Sequence, residues 1–131
     1  MPIRTSTDPS LGIVIHEVTE ALRPEEVLAA MERLYGDPYH DTTLPVLWDA
    51  RRARAALTSF EDMMVMARDG RIHWPTMGTG RTALLTASTA DFGMGRMYQL
   101  MADGIPRELA VFRSYDEAVG WLRGKGPVPQ G

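Results

Sequence analysis

At three places along this chain of 131 residues a short apolar run gives way to a hydroxyl residue with an acidic one three positions on. The pairs are Thr58–Glu61, Ser88–Asp91 and Ser114–Glu117. In such a capping box the hydroxyl and the carboxylate satisfy amides left without partners at a helix start. Each pair therefore marks a place where a strand gives way to a helix. A chain that repeats this handover is confined to α/β architectures, because parallel strands need long crossovers between them.

The remaining elements fit that frame. Residues 2–7 and 11–18 read as two strands; the second, LGIVIHEV, is rich in β-branched residues. Asp8-Pro9-Ser10, followed closely by Gly12, supplies the turn of an antiparallel hairpin. Residues 24–35 read as a helix, with Pro24 at its first position, Glu25 and Glu26 near its positive end, and Val27, Leu28, Met31, Leu34 and Tyr35 on one face. Arg23 is a poor cap for it. Three more strands follow at 44–49, 81–86 and 108–112. The helices between and after them carry apolar stripes at Phe60, Met63, Met64 and Ala67, at Met94, Met97, Tyr98 and Met101, and at Ala118, Val119, Trp121 and Leu122. Gly70 weakens the second helix and Pro75 sets its latest end. Gly78-Thr79-Gly80 reads as a loop. The predicted order is β-β-α-β-α-β-α-β-α: a five-stranded, mixed but mostly parallel sheet with four helices, one domain over 1–123, and a Gly/Pro-rich flexible tail at 124–131.

Composition narrows the chemistry. There is no cysteine, which excludes thiolate catalysis, cysteine-ligated zinc and iron–sulfur clusters. A net charge of −3 argues against general nucleic-acid binding. The first residues lack a signal-peptide pattern, and no apolar run approaches the ~20 residues of a membrane span, so a cytoplasmic location is expected. His16, His40 and His73 lie too far apart for a metal motif; no metal and no cofactor is expected. His16 alternates with Ile15 and Glu17, which predicts a surface or half-buried structural role. Asp91-Phe92-Gly93 copies a kinase tripeptide by chance, since the lysine strand and catalytic loop are missing. Gly93 and Gly95 are expected to let the third helix approach the sheet closely. The methionine and tyrosine stripe of that helix reads as core, with an adaptable apolar pocket as the alternative.

LPVLWDAR, the FGMGRMYQ helix start and the ending VFRSYDEAVGWL, together with the element order, are similar to a group of short bacterial proteins called SpoIIAA-like, after the anti-anti-sigma factor that typifies the STAS superfamily. The likeness spans roughly residues 3–122. It implies a mixed sheet with helices packed on it, an architecture shared with Sec14-type lipid-transfer domains. In the phosphorylated relatives a serine opens the helix after the third strand, which by position corresponds to Thr58 and Ser59. This chain reads LTSFED there, without the Asp before or the Gly after, so helix capping is the role expected of the two residues.

In open parallel sheets ligands bind outside the carboxyl ends of the strands. Those ends carry Asp49, Arg51, Thr86 and Ser88, and the following helices begin near Thr58, Ser59 and Asp91, with Arg96 within reach. These eight are the candidate ligand or anion site, and simple helix capping is the alternative. Arg51, Arg52 and Arg54 form a local basic cluster, read as solvated or as an anion or acidic-partner contact. No catalytic residue is singled out, and enzymatic activity is not expected. The functional reading is a non-enzymatic regulatory or protein-interaction module of STAS type; the alternative is a carrier of a small apolar or amphipathic ligand. Trp48, Trp74 and Tyr39 exceed what so small a core must hide, which suggests a homodimer.

Overall fold

The computed structural model describes residues 3–53, 59–77, 80–105 and 107–124, with backbone alone for 73–77. Thr58, Arg54, Gly78, Thr79, the side chains of His73 and Trp74, and the tail beyond Gly124 lie outside the described residues. The elements are β1 (Ile3–Asp8), β2 (Ile13–Val18), α1 (Pro24–Tyr35), β3 (Val46–Asp49), α2 (Phe60–Met77), β4 (Thr82–Leu85), α3 (Thr89–Met101), β5 (Leu109–Phe112) and α4 (Tyr115–Arg123). This is the predicted order.

The sheet begins with a hairpin. Oδ1 of Asp8 accepts the amides of Ser10 (2.9 Å) and Leu11 (3.2 Å), and the carbonyl of Asp8 accepts the amide of Gly12 (2.8 Å). Gly12 has φ +68°, a left-handed conformation that glycine adopts without penalty. That bend explains why β2 starts at Ile13 and not at the expected residue 11. β1 and β2 pair antiparallel; β2–β3, β3–β4 and β4–β5 are parallel.

The strands lie side by side in chain order, β1-β2-β3-β4-β5. Every crossover therefore steps in the same direction, and crossovers of one hand then put all their helices on one face. Packing agrees. Val18, Leu84 and Val111 of the sheet form one buried cluster with Ala30 of α1 and Met63 and Met66 of α2, and the partly buried Met94 and Tyr98 of α3 pack against it. Ile13, Leu47, Ala83, Leu85, Ala110 and Phe112 point the other way, onto Ala118, Trp121 and Leu122 of α4. α4 follows the last strand, so it is free to cover the second face.

Three helix details differ from expectation. In α2 the buried face is Met63, Met66, Ala67 and Gly70, an i, i+3, i+4, i+7 set, while Phe60 and Met64 are exposed. The helix runs on through Gly70 and Pro75 to Met77. Gly70 faces the α3–β5 connection, where Cδ1 of Ile105 sits 3.1 Å from the place a Cβ would take, and Pro75 removes only one amide near the helix end. In α3 the face turned inward centres on Asp91, Gly95, Tyr98 and Ala102, which leaves Met97 exposed. Of the two glycines expected to permit close approach, only Gly95 does so: a Cβ there would lie 2.8 Å from Cγ1 of Val111, whereas one on Gly93 would meet nothing within 4 Å.

Candidate functional site

At the carboxyl ends of the strands the predicted site residues bind one another and the helix starts. Asp49 holds Arg51 through two hydrogen bonds, Nε to Oδ1 at 3.0 Å and Nη2 to Oδ2 at 2.8 Å, and the guanidinium lies 5.3 Å from the ring centre of Tyr115. Burial pushes the Asp49 carboxyl up, but the hydrogen bonds from Arg51 outweigh it and hold the pKa below its ordinary value. Arg52 pairs with Glu17 at 3.0 Å. Thr86 is fully buried; its amide (2.9 Å) and hydroxyl (3.4 Å) both donate to the carbonyl of Phe112. The hydroxyl of Ser88 caps α3 by accepting the amide of Asp91 at 3.0 Å. Ser59 caps α2 the same way, accepting from Asp62 at 3.1 Å, so the cap observed there is Ser59. Arg96 turns along its own helix to Gln99. The edge thus brings Asp49 and Arg51 together and uses Ser59 and Ser88 as caps.

A second place lies between the helix layer and the sheet, and of the pocket residues offered as the alternative for the third-helix stripe it takes Tyr98 and none of the methionines. A cavity of about 90 Å³ opens beneath α1, α2 and α3. Its walls are Leu22, Val27 and Met31 on one side, Trp48 and Leu84 below, and Met66 and Tyr98 above. Gly70 contributes room, and Tyr35, Thr82 and Arg107 give it a polar end. That end is where α1 finishes and where β4 and β5 begin.

Arg107 sits just ahead of β5 and is 4% exposed. It donates from Nε to Oγ1 of Thr82 (2.5 Å), from Nη1 to the carbonyl of Thr42 (3.3 Å), and from Nη2 to the carbonyls of Leu44 (2.9 Å) and Arg81 (3.2 Å). It thereby ties the segment before β3 to the starts of β4 and β5. Burial lowers its pKa and the nearby Tyr35 opposes that shift, but a guanidinium keeps its charge. Burial pushes the Tyr98 phenol up to about 12 and raises that of Tyr35. Nothing in the sequence marks Arg107: it is one arginine among many, and only its tertiary surroundings distinguish it.

Trp48, one of the aromatic residues of which some were expected to face a partner, is a floor of this cavity. Its indole lies against His16, with ring centres 4.1 Å apart. His16 is fully buried, contrary to the surface or half-buried role expected, because the even positions of β2 face the helix layer. Nδ1 of His16 shares a 2.7 Å hydrogen bond with the Thr5 hydroxyl, while Nε2 has no partner among the described residues. Among the described residues no three His, Asp or Glu side chains gather where they could hold a metal ion.

No family model and no curated protein matches the chain. Among solved structures it is similar to an uncharacterised protein of the DUF3478 family from Shewanella loihica, described as having a SpoIIAA-like fold. The match covers 92% of this chain and 91% of that one, with a TM-score of 0.59 and 15% identity. The fold is SpoIIAA-like. Within that fold, the described helices include none long and apolar enough to cross a membrane. At this level of identity the SpoIIAA-like likeness describes architecture, and function has to be argued from the cavity and the surface.

Proposed function

We propose that this SpoIIAA-like domain is a binding module that takes a small apolar molecule into the cavity between its helices and its sheet. The observation that carries the reading is the cavity itself: apolar walls from three helices, the sheet floor of Trp48 and Leu84, and a few polar groups at one end. Such a combination is the usual form of a ligand site. Binding is favoured over catalysis because the polar groups there are poorly suited to proton transfer near neutral pH. Tyr98 titrates at about 12 and Arg107 stays cationic. The volume is below the ~150 Å³ of an apolar cavity that accepts benzene, so the ligand is short or the helices part slightly to admit it. Native mass spectrometry of gently purified protein tests this. A retained small molecule, lost on replacing Leu84 with Trp to fill the space, supports the proposal. A dry protein whose thermal stability no small apolar compound changes counts against it.

A second reading is a regulatory, partner-binding module of STAS type acting in the cytoplasm. It is favoured by apolar side chains left exposed on the outer helices: Phe60 and Met64 on α2, Met97 and Leu100 on α3. Affinity capture from the native host, compared with a variant carrying Met64→Lys and Leu100→Lys, tests it. Sedimentation equilibrium asks whether the partner is a second copy. A capture that recovers nothing specific, from a protein that sediments as a monomer at high concentration, overturns this reading.

A further inference from the structure

We propose that the molecule held in the cavity is a small apolar acid, its carboxylate turned toward Arg107 and Tyr35 and its hydrocarbon part against Trp48, Leu84 and Met66. The inference rests on the reading of the cavity as a ligand site and adds the charge of the ligand to it. The polar side chains lining the space are Arg107, Thr82 and the phenols of Tyr35 and Tyr98. Arg107 brings a positive charge, and the phenols of Tyr35 and Tyr98 bring O–H donors. No Asp or Glu is among the lining residues.

A phenol O–H donates well to a carboxylate oxygen, which has lone pairs and no proton of its own at neutral pH. A guanidinium in a low-dielectric wall attracts an anion more strongly than it would in water, even when its own N–H groups already bind carbonyls. A cationic ligand would face repulsion from Arg107 at this end. An acceptor-only head group, which a carboxylate is, suits both the guanidinium and the phenols. The apolar remainder of the cavity then sets the tail, and about 90 Å³ limits it to a few carbons.

The experiment compares 3-methylbutanoate with 3-methylbutan-1-ol, which share one hydrocarbon body. Binding to the full chain is followed at pH 7 through the amide of Gly70 and the indole N–H of Trp48 by nuclear magnetic resonance. The expected result is that the acid binds roughly ten-fold more tightly than the alcohol. Tyr35→Phe, which removes one donor and leaves the packing in place, should weaken the acid several-fold and leave the alcohol unchanged. Arg107→Gln is the more direct variant, but it also cuts the ties to Thr42 and Leu44 and is informative only if it stays folded. Equal binding of acid and alcohol overturns the proposed acid while the cavity stands as a ligand site. Failure of both compounds to move either resonance at about 20 mM overturns the cavity reading as well.

Discussion

His16 and Trp48 stand on neighbouring strands with their rings 4.1 Å apart and tilted by 31°, the histidine sealed from water and the indole flooring the cavity. Burial first, then the charges of Arg33 and His40, lower the His16 pKa from 6.5 to about 4. The folded protein therefore holds His16 neutral across a range where the unfolded chain takes up a proton. Stability is complete above the unfolded value and falls as pH drops below it toward the folded value. Between pH 7 and pH 5 the loss is about 2 kcal/mol from this one group. Urea titrations at the two values measure it. In His16→Leu the difference between them should shrink by that amount.

Gly95 and Gly93 should respond oppositely to alanine. At Gly95 the new methyl would press on Val111 at 2.8 Å and Leu84 at 3.2 Å. Val111 is a stiff β-branched residue in a strand, so Gly95→Ala should destabilise by about 1–2 kcal/mol, overpacking outweighing the gain in helix propensity. Gly93 has open space around it, and Gly93→Ala should stabilise by about 0.5–1 kcal/mol. Opposite shifts in thermal midpoint confirm the pair; two shifts of the same sign refute it.

The caps give a third expectation. Ser59→Ala and Ser88→Ala each remove a hydroxyl that accepts a first-turn amide, and each should cost about 1 kcal/mol. The same measurement bears on phosphorylation. A phosphate on Ser59 would sit close to Glu61 and Asp62 and displace the existing cap. Phosphopeptide mapping of protein from its native host should find Ser59 unmodified; stoichiometric phosphate there would make the hydroxyl a switch.

Arg107 is the costliest of these residues to lose. Arg107→Leu would take the Arg107 donors from the carbonyls of Thr42 and Leu44, while the Arg81 carbonyl would keep the amide of Val46. The expected loss is about 3 kcal/mol or more, since each buried polar group left unsatisfied costs about 1–3 kcal/mol. Hydrogen exchange should speed up over residues 42–46 before it does in β4. Uniform exchange across both would show that Arg107 does not tie that segment down.

Much of this architecture was legible in the sequence because its signals are local. Hydroxyl–acid pairs place helix starts, β-branched runs place strands, and Gly12 places the hairpin turn. Ser88 and Ser114 cap the helices they were expected to cap. Stripes read less well: Met64 and Met97 fit the periodicity yet lie on outer flanks, because a helix face is fixed by its neighbours and not by its own apolar count. Most of the cavity beyond Tyr98 was hidden for a stronger reason. Its polar end joins Tyr35, Thr82 and Arg107, which lie far apart in the chain, and no spacing rule connects them. The outer edge was easier to propose because Asp49 and Arg51 are two residues apart, and there the structure shows a closed ion pair.

The sequential order of the sheet has a consequence for synthesis. No strand is inserted between two that are already paired, so the sheet can grow in the order in which the ribosome delivers it. Three helices are laid on one side during that growth. The other side, with Ile13, Leu47 and Leu85 at its centre, waits for α4, which is made after all five strands. A nascent chain stalled before Tyr115 therefore holds all five strands with one greasy side open, and the turns of α4 close that side.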